Sequence, residues 1–207
     1  MTTLDARPST AARPNVAQPS AARRAMIDSQ LRVSGVNDPA VLAAIDSVVR
    51  EDFVPDALKA NAYIDRALPL GGGHFLPAPL AHGRMLMEAA PGAADTVLVV
   101  SPSGYLAAVV AAFGCTVSTL SPAEAVAAKG KGAAVSLILV DGAIEQLPAG
   151  LAARLAEGGR IVTGLIERGV TRLAIGTKAA GAVTLLPLAE IGFPVLPEFA
   201  APERWSF

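Results

Sequence analysis

Charge is scarce in this chain. Of its 207 residues, 17 are Lys or Arg and 18 are Asp or Glu, a charged fraction of 17% and a formal net charge of -1. Nothing in that balance would gather the phosphates of a nucleic acid or the headgroups of an anionic membrane, so neither is expected as a partner. No apolar run reaches the ~18 residues that span a bilayer, so no transmembrane segment is expected. Cysteine is scarcer still. Cys115 stands alone, which excludes an internal disulfide and suits a reducing cytoplasm. It reads as a small buried hydrophobe. There is no Cys/His cluster for a metal and no nucleophile-elbow motif. What is abundant is apolar: 52% of the chain is hydrophobic, enough for one well-buried domain.

The first twenty or so residues are rich in Ala, Pro, Ser and Thr and lack the apolar stretch of a secretory signal. Having no periodicity, residues 1–21 read as a disordered arm, with an internal start nearer Met26 as the alternative. Residues 22–207 read as one domain, helices and a loop over 22–92 and an α/β sheet over 93–207. Met26, Ile27, Leu31 and Val33 recur at helical spacing up to Gly35. Asp38 is a good N-cap and Pro39 suits a first helical position. Leu68–Pro79 is a loop by composition, and a third helix is expected from about Pro79 to Glu88. Strands are then expected at Thr96–Val100, Thr116–Leu120, Val135–Val140 and Arg160–Leu165, alternating with helices at Tyr105–Phe113, Pro122–Lys129 and Pro148–Glu157. Apolar runs such as Val135–Val140 suit a parallel sheet covered on both faces. Arg172–Thr177 and Ala182–Leu188 read as a closing antiparallel hairpin. Trp205 and Phe207 are expected to fold the tail onto the body.

The functional question lies in Val97–Val110, VLVVSPSGYLAAVV. This is a strand, a tight turn and a helix, the opening of a nucleotide-binding α/β domain. Such turns carry several glycines because a ligand approaches the backbone closely. This one carries a single glycine and a proline. Around it lie short stretches whose order and spacing resemble the protein-L-isoaspartate O-methyltransferase family from about Ala22 onward. They are MIDSQLR from Met26, REDFVP from Arg50, AYID from Ala62, LPLGGG from Leu68, SGY from Ser103, VDGA from Val140 and GGRIV from Gly158. The resemblance implies a Rossmann-like S-adenosylmethionine-dependent methyltransferase fold. It also implies S-adenosylmethionine as cofactor and methylation of isoaspartyl carboxylates in damaged proteins as the activity.

The sequence departs from the family's pattern at three places. The acid expected near the end of the first sheet strand is Val99, the turn is one residue short, and two expected glycines are missing around Ser101 and Pro102. Proline brings a ring and no N–H. The acid that should end the second strand and accept ribose hydroxyls is Ser121, a weaker acceptor, with Glu124 one turn into the next helix. The 14 residues of 121–134 hold one parallel crossover, which needs about a dozen, so an edge strand is expected to be missing. The substrate loop, Gly-Gly-Gly-Gln-Thr-Ile-Ser-x-Pro in the family, has His74, Phe75 and Pro77 at the glutamine, threonine and serine positions and keeps Pro79.

By the resemblance, the cofactor-binding positions are Ser101, Ser103, Gly104, Tyr105, Ser121, Asp141 and Gly142. The substrate-loop positions are His74, Phe75, Pro77 and Pro79, and no residue is assigned as catalytic. His74 reads as a base or ligand contact, or as neither, since its motif offers no acidic or thiol partner. A carboxylate nucleophile, with an ordinary pKa of about 3.9, needs little general base. His82 is expected on a helix surface. Asp141–Gly142 reads either as the ligand-binding end of a central strand or as a plain turn. Lys129–Gly132 reads as a solvated connection and lacks the spacing of a phosphate loop. Two functional readings stay open: a protein carboxyl methyltransferase with weak or lost catalysis, and a non-catalytic binding or structural module that keeps the fold. An NAD-binding domain is disfavoured by the same missing acid and glycines.

Overall fold

The computed structural model describes residues 21–201. The expected arm, and the packing expected of Trp205 and Phe207, lie outside the described residues. The N-terminal part comprises α1 (Ala21–Met26), which runs into a wider turn over Ile27–Leu31, and α2 (Pro39–Ser47). Asp38 caps α2, its Oδ1 accepting from Ala40 N at 2.8 Å and Val41 N at 3.1 Å. Two short 3-10 turns, Arg50–Phe53 and Asp56–Asn61, lead to a two-stranded hairpin of β1 (Leu68–Gly71) and β2 (His74–Leu76). Gly71, Gly72 and Gly73 at its tip all have positive φ, a backbone that a side chain would strain. The stretch read as a loop is thus a hairpin. Helix α3 (Pro79–Ala89) follows.

The sheet then alternates β3 (Thr96–Val100), α4 (Tyr105–Ala111), β4 (Thr116–Leu120), α5 (Pro122–Ala127), β5 (Val135–Ile144), α6 (Ala149–Ala153), β6 (Leu155–Glu167), β7 (Val170–Ala179) and β8 (Ala182–Glu190). The strand order is β4-β3-β5-β6-β7-β8. β4, β3, β5 and β6 are mutually parallel, and β7 and β8 close the sheet antiparallel. Among the described residues no strand lies outside β4, so the edge strand expected to be missing is missing. Alternate residues feed two apolar layers. Val97, Val99, Leu137 and Leu139 pack with Met26, Ile45, Met85 and Leu106 of the helices on one face. Leu98, Val100, Ile138 and Val140 pack with Ala125 and Leu151 on the other, where Leu196 and Phe199 of the C-terminal segment join them.

Besides the hairpin, several bounds differ from the sequence expectation, and β6 spans Leu155–Glu167 where Arg160–Leu165 was expected. The helix expected over Pro148–Glu157 is confined to Ala149–Ala153, because Leu155 already pairs with Val135 as the start of β6. The glycines Gly158 and Gly159 let β6 bulge there, and a Cβ on Gly159 would come within 2.8 Å of Ala156 O. β5 does not stop at Val140. Val140 pairs with Thr163 and Ala143 with the next residue, Gly164, so Asp141 and Gly142 bulge out of the ladder and the strand resumes to Ile144.

Candidate functional site

The bulge in β5 lies where an open α/β sheet binds ligands, at the carboxyl ends of the central strands. It aims Asp141 inward. Asp141 is 0% exposed. Its Oδ2 accepts from Ser101 Oγ at 2.7 Å, and its Oδ1 accepts from His82 Nε2 at 2.7 Å. The plain-turn reading of Asp141–Gly142 is therefore replaced by a buried, strand-borne carboxylate. His82, expected on a helix surface, is 1% exposed. It follows the apolar stripe of α3 at the spacing of Met85, Leu86 and Ala89, and that spacing was the signal that could have found it.

Behind His82 stands Arg50, 0% exposed. Its Nε donates to Ala62 O at 2.7 Å, its Nη2 to Pro77 O, and its Nη1 lies 3.2 Å from His82 Nδ1. A guanidinium has no acceptor, so Nδ1 must accept and Nε2 must carry the ring proton. His82 is thus the neutral Nε2–H tautomer, donating to Asp141. The Arg50 Cζ sits 4.8 Å over the Tyr105 ring, with the His82 ring 5.1 Å from it. Burial draws the Arg50 pKa down from its ordinary value, and burial pushes the Tyr105 phenol up against the opposing pull of Arg50. Sequence reading had placed Arg50 only as part of a matching motif.

The turn itself is closed on its own side chains. Ser101 N donates to Leu120 O at 3.1 Å. Ser103 N and Gly104 N both donate to Ser101 Oγ at 3.2 Å, and Tyr105 N donates to Ser103 Oγ at 3.2 Å. Pro102 has no N–H to offer. Gly104 keeps a positive φ of 77°, which the bend into α4 needs. Ser121 is exposed at the sheet edge and serves as the N-cap of α5. Its N and Oγ donate to Glu124 Oε2 at 2.8 and 2.7 Å, and its Oγ accepts from Glu124 N at 3.3 Å. Those bonds draw the Glu124 pKa below its ordinary value. Gly142 lies under the C-terminal segment, where a Cβ would come within 2.6 Å of Leu196 Cγ. The parallel pairing of Ala143 with Val195 holds that cover in place.

Of the expected substrate-loop positions, His74 and Phe75 lie apart from this cluster, whereas Pro77 touches it. His74 does have a partner, 124 residues away in sequence: its Nε2 lies 2.8 Å from Glu198 Oε1. Phe75, 39% exposed, and Val195, 48% exposed, face an open groove of about 620 Å³ bounded also by Phe193, Pro194 and Pro197. Pro77 contributes its carbonyl to Arg50, and Pro79 starts α3. Cys115 is half-buried, its Sγ 3.2 Å from Val110 O, and desolvation pushes the thiol pKa up. Lys129 and Lys131 are exposed.

Comparison with known proteins agrees with this architecture. The family model described as protein-L-isoaspartate(D-aspartate) O-methyltransferase matches residues 21–121. A protein-L-isoaspartate O-methyltransferase of Koribacter versatilis is 32% identical over 196 residues, 83% of this chain and 88% of the relative. The protein-L-isoaspartate O-methyltransferase 2 of an Anaeromyxobacter species is 35% identical over 188 residues, 78% of this chain and 77% of the relative. In fold, the chain is similar to a putative protein-L-isoaspartate O-methyltransferase from Plasmodium falciparum, solved in complex with S-adenosyl-L-homocysteine. The TM-score is 0.69 at 19% identity, over 85% of this chain and 98% of that one. The chain belongs to the protein-L-isoaspartate O-methyltransferase family.

Proposed function

We propose that this chain is a family member in which methyl transfer from S-adenosylmethionine to isoaspartyl carboxylates is weak or lost, and that the retained fold serves for binding. The observation that carries this reading is the closed turn. The backbone donors at Ser103, Gly104 and Tyr105 are spent on the hydroxyls of Ser101 and Ser103. Asp141 is buried against Ser101, and Ser121 is turned to Glu124. The residues present do not fit the cofactor in the family's manner. A ligand would have to displace several internal hydrogen bonds, those to the serine hydroxyls contributing roughly 0.5–1.5 kcal/mol each and those to the Asp141 and Glu124 carboxylates roughly 1.5–3 kcal/mol. A micromolar affinity corresponds to about 8 kcal/mol in all.

On the substrate side, the open apolar groove beside Phe75 supports a binding role better than a carboxylate-positioning one, because the family's two hydroxyls are replaced by Phe75 and Pro77. Residues 22–92 and 93–207 are taken as one unit, since one apolar cluster runs from Met26 to Phe193. A cytoplasmic location is part of the proposal, supported by the single cysteine, which allows no internal disulfide; among the described residues no helix is long and apolar enough to cross a membrane. Two assays test the reading: calorimetric titration with S-adenosylhomocysteine, and transfer of labelled methyl to an isoaspartyl peptide. The expected result is little heat and little label. Transfer at a rate typical of the family would overturn it.

A further inference from the structure

We infer that Asp141 is an internal ligand: a carboxylate of the chain itself that occupies a carboxylate-binding cage and keeps the Ser101–Gly104 turn shut. The inference rests on the reading above that this turn does not hold the family's cofactor. Three observations carry it. The bulge takes Asp141 and Gly142 out of the ladder, and bulges re-aim side chains at the cost of pairing. Both Asp141 oxygens are held as a bound anion's would be, one by the Ser101 hydroxyl and one by the His82 ring N–H. The Ser101 oxygen in turn gathers the N–H groups of Ser103 and Gly104, so the donors of the turn are chained to that one carboxylate.

The charge balance points the same way. A fully buried carboxylate is costly unless a cation compensates it. Arg50, also fully buried, supplies that cation through neutral His82, and the Ala62 and Pro77 carbonyls fix its position. Tyr105 also stands against the cage, its ring under the Arg50 guanidinium, with Tyr63 acting on Arg50 and Arg23 on Tyr105. Replacing such a pair by well-packed apolar residues is often neutral or stabilising, so stability alone does not account for it. The cage is a receptor of small-carboxylate chemistry, filled from within.

The test uses the full chain, Asp141→Gly and sodium formate, with sodium chloride at matched ionic strength as control. The chain has two histidines, so imidazole nitrogen NMR with His74→Gln as an assignment reference reads His82 directly. Wild type is expected to show His82 as the Nε2–H tautomer, with a slowly exchanging ring proton and no formate-specific response. Asp141→Gly is expected to lose that signal and to unfold several degrees lower. Formate, but not chloride, is expected to restore both in a saturable manner. No restoration, or equal stabilisation of wild type by formate, would overturn the inference. Should Asp141→Gly fail to fold, Asp141→Asn keeps the shape but leaves one oxygen fewer to accept. Amide exchange at Ser103 and Gly104 is then expected to be at least severalfold faster than in wild type, and unchanged exchange overturns the inference. S-adenosylhomocysteine binding to wild type with the His82 signal unmoved would remove the proposed function and leave the internal ligand standing. Absence of any formate effect does the reverse.

Discussion

At the scale of single residues, the buried polar groups dominate what substitution will do. Arg50 makes hydrogen bonds to two carbonyls and to His82 while its charge balances Asp141. Arg50→Ala removes one partner of a buried charge pair and leaves the other behind, a change that costs about 3–5 kcal/mol. Urea unfolding should show that loss, and Arg50→Lys should recover little of it, because an ammonium cannot reproduce the planar fork. A change under ~1 kcal/mol would mean that the network is not coupled as described. Asp95, half-buried, is a second polar residue of this kind, and it answers to pH. Its carboxylate accepts from Arg160 Nη1 and Nη2 at 3.1 and 2.8 Å, from Ser136 Oγ at 2.7 Å and from Gly92 N at 2.9 Å. Arg160 foremost holds its carboxyl well below the usual carboxylate range. A depressed folded pKa gives stability that is fully present above the unfolded value of about 3.9 and is lost as pH falls toward the folded one. Asp95→Asn should therefore unfold more easily than wild type at neutral pH, by roughly 1–3 kcal/mol. The difference should narrow below about pH 4, and denaturant curves at the two pH values check this.

At the scale of elements, the C-terminal segment and β5 form a closure whose tightness can be measured. Gly142 has no room for a side chain because Leu196 lies against it. Gly142→Ala should cost about 1–3 kcal/mol by overpacking. Adding Leu196→Ala should make the double substitution less costly than the sum of the two singles. Simple additivity in a double-mutant cycle would show that the segment does not press on the bulge. The sequence made the regular parts of this arrangement readable. β3 and β4 occupy the expected residues, and the Asp38 cap is where its side chain predicts. These features follow from local chemistry, a β-branched run or a side chain reaching a backbone N–H nearby. The bulge at Asp141–Gly142 was not readable, because Asp and Gly both favour turns, so the pair gives no sign that the ladder resumes after it. Partners separated by 32, 40, 59 and 124 residues, as Arg50–His82, Ser101–Asp141, His82–Asp141 and His74–Glu198 are, leave no periodic trace. The departures from the family pattern expected at Ser101, Pro102 and Ser121 were read from the sequence; that Ser101 and Ser103 would satisfy the turn's own donors was not.

At the scale of the whole molecule, the question is whether the chain would accept the acids that the family resemblance leads one to expect at Val99 and Ser121. The two positions differ in kind. Ser121 is exposed and caps α5. Aspartate is as good an N-cap as serine, so Ser121→Asp should leave stability within ~0.5 kcal/mol. Val99 is fully buried in the layer that joins the sheet to the N-terminal helices, beside Leu139 and Thr119 in register. A carboxylate there would have neither water nor a described partner, and burying an unpaired charge is among the few changes that exceed about 4 kcal/mol. Val99→Glu should therefore lower the unfolding free energy steeply at neutral pH. It should recover partly in acid, where the carboxyl is neutral, because the folded pKa is raised by burial. If this position instead borders a standing cofactor cleft, the same substitution would be mild and S-adenosylhomocysteine would raise its melting temperature by the mass-action increment of a bound ligand. Neither single substitution, nor the pair, is expected to yield methyl transfer to an isoaspartyl peptide. Rate acceleration depends on holding the reacting atoms about 3–3.5 Å apart. On the proposed reading, Phe75 and Pro77 would still replace the hydroxyls expected beside the acceptor, and the donors of the turn would still be held by Ser101 and Asp141.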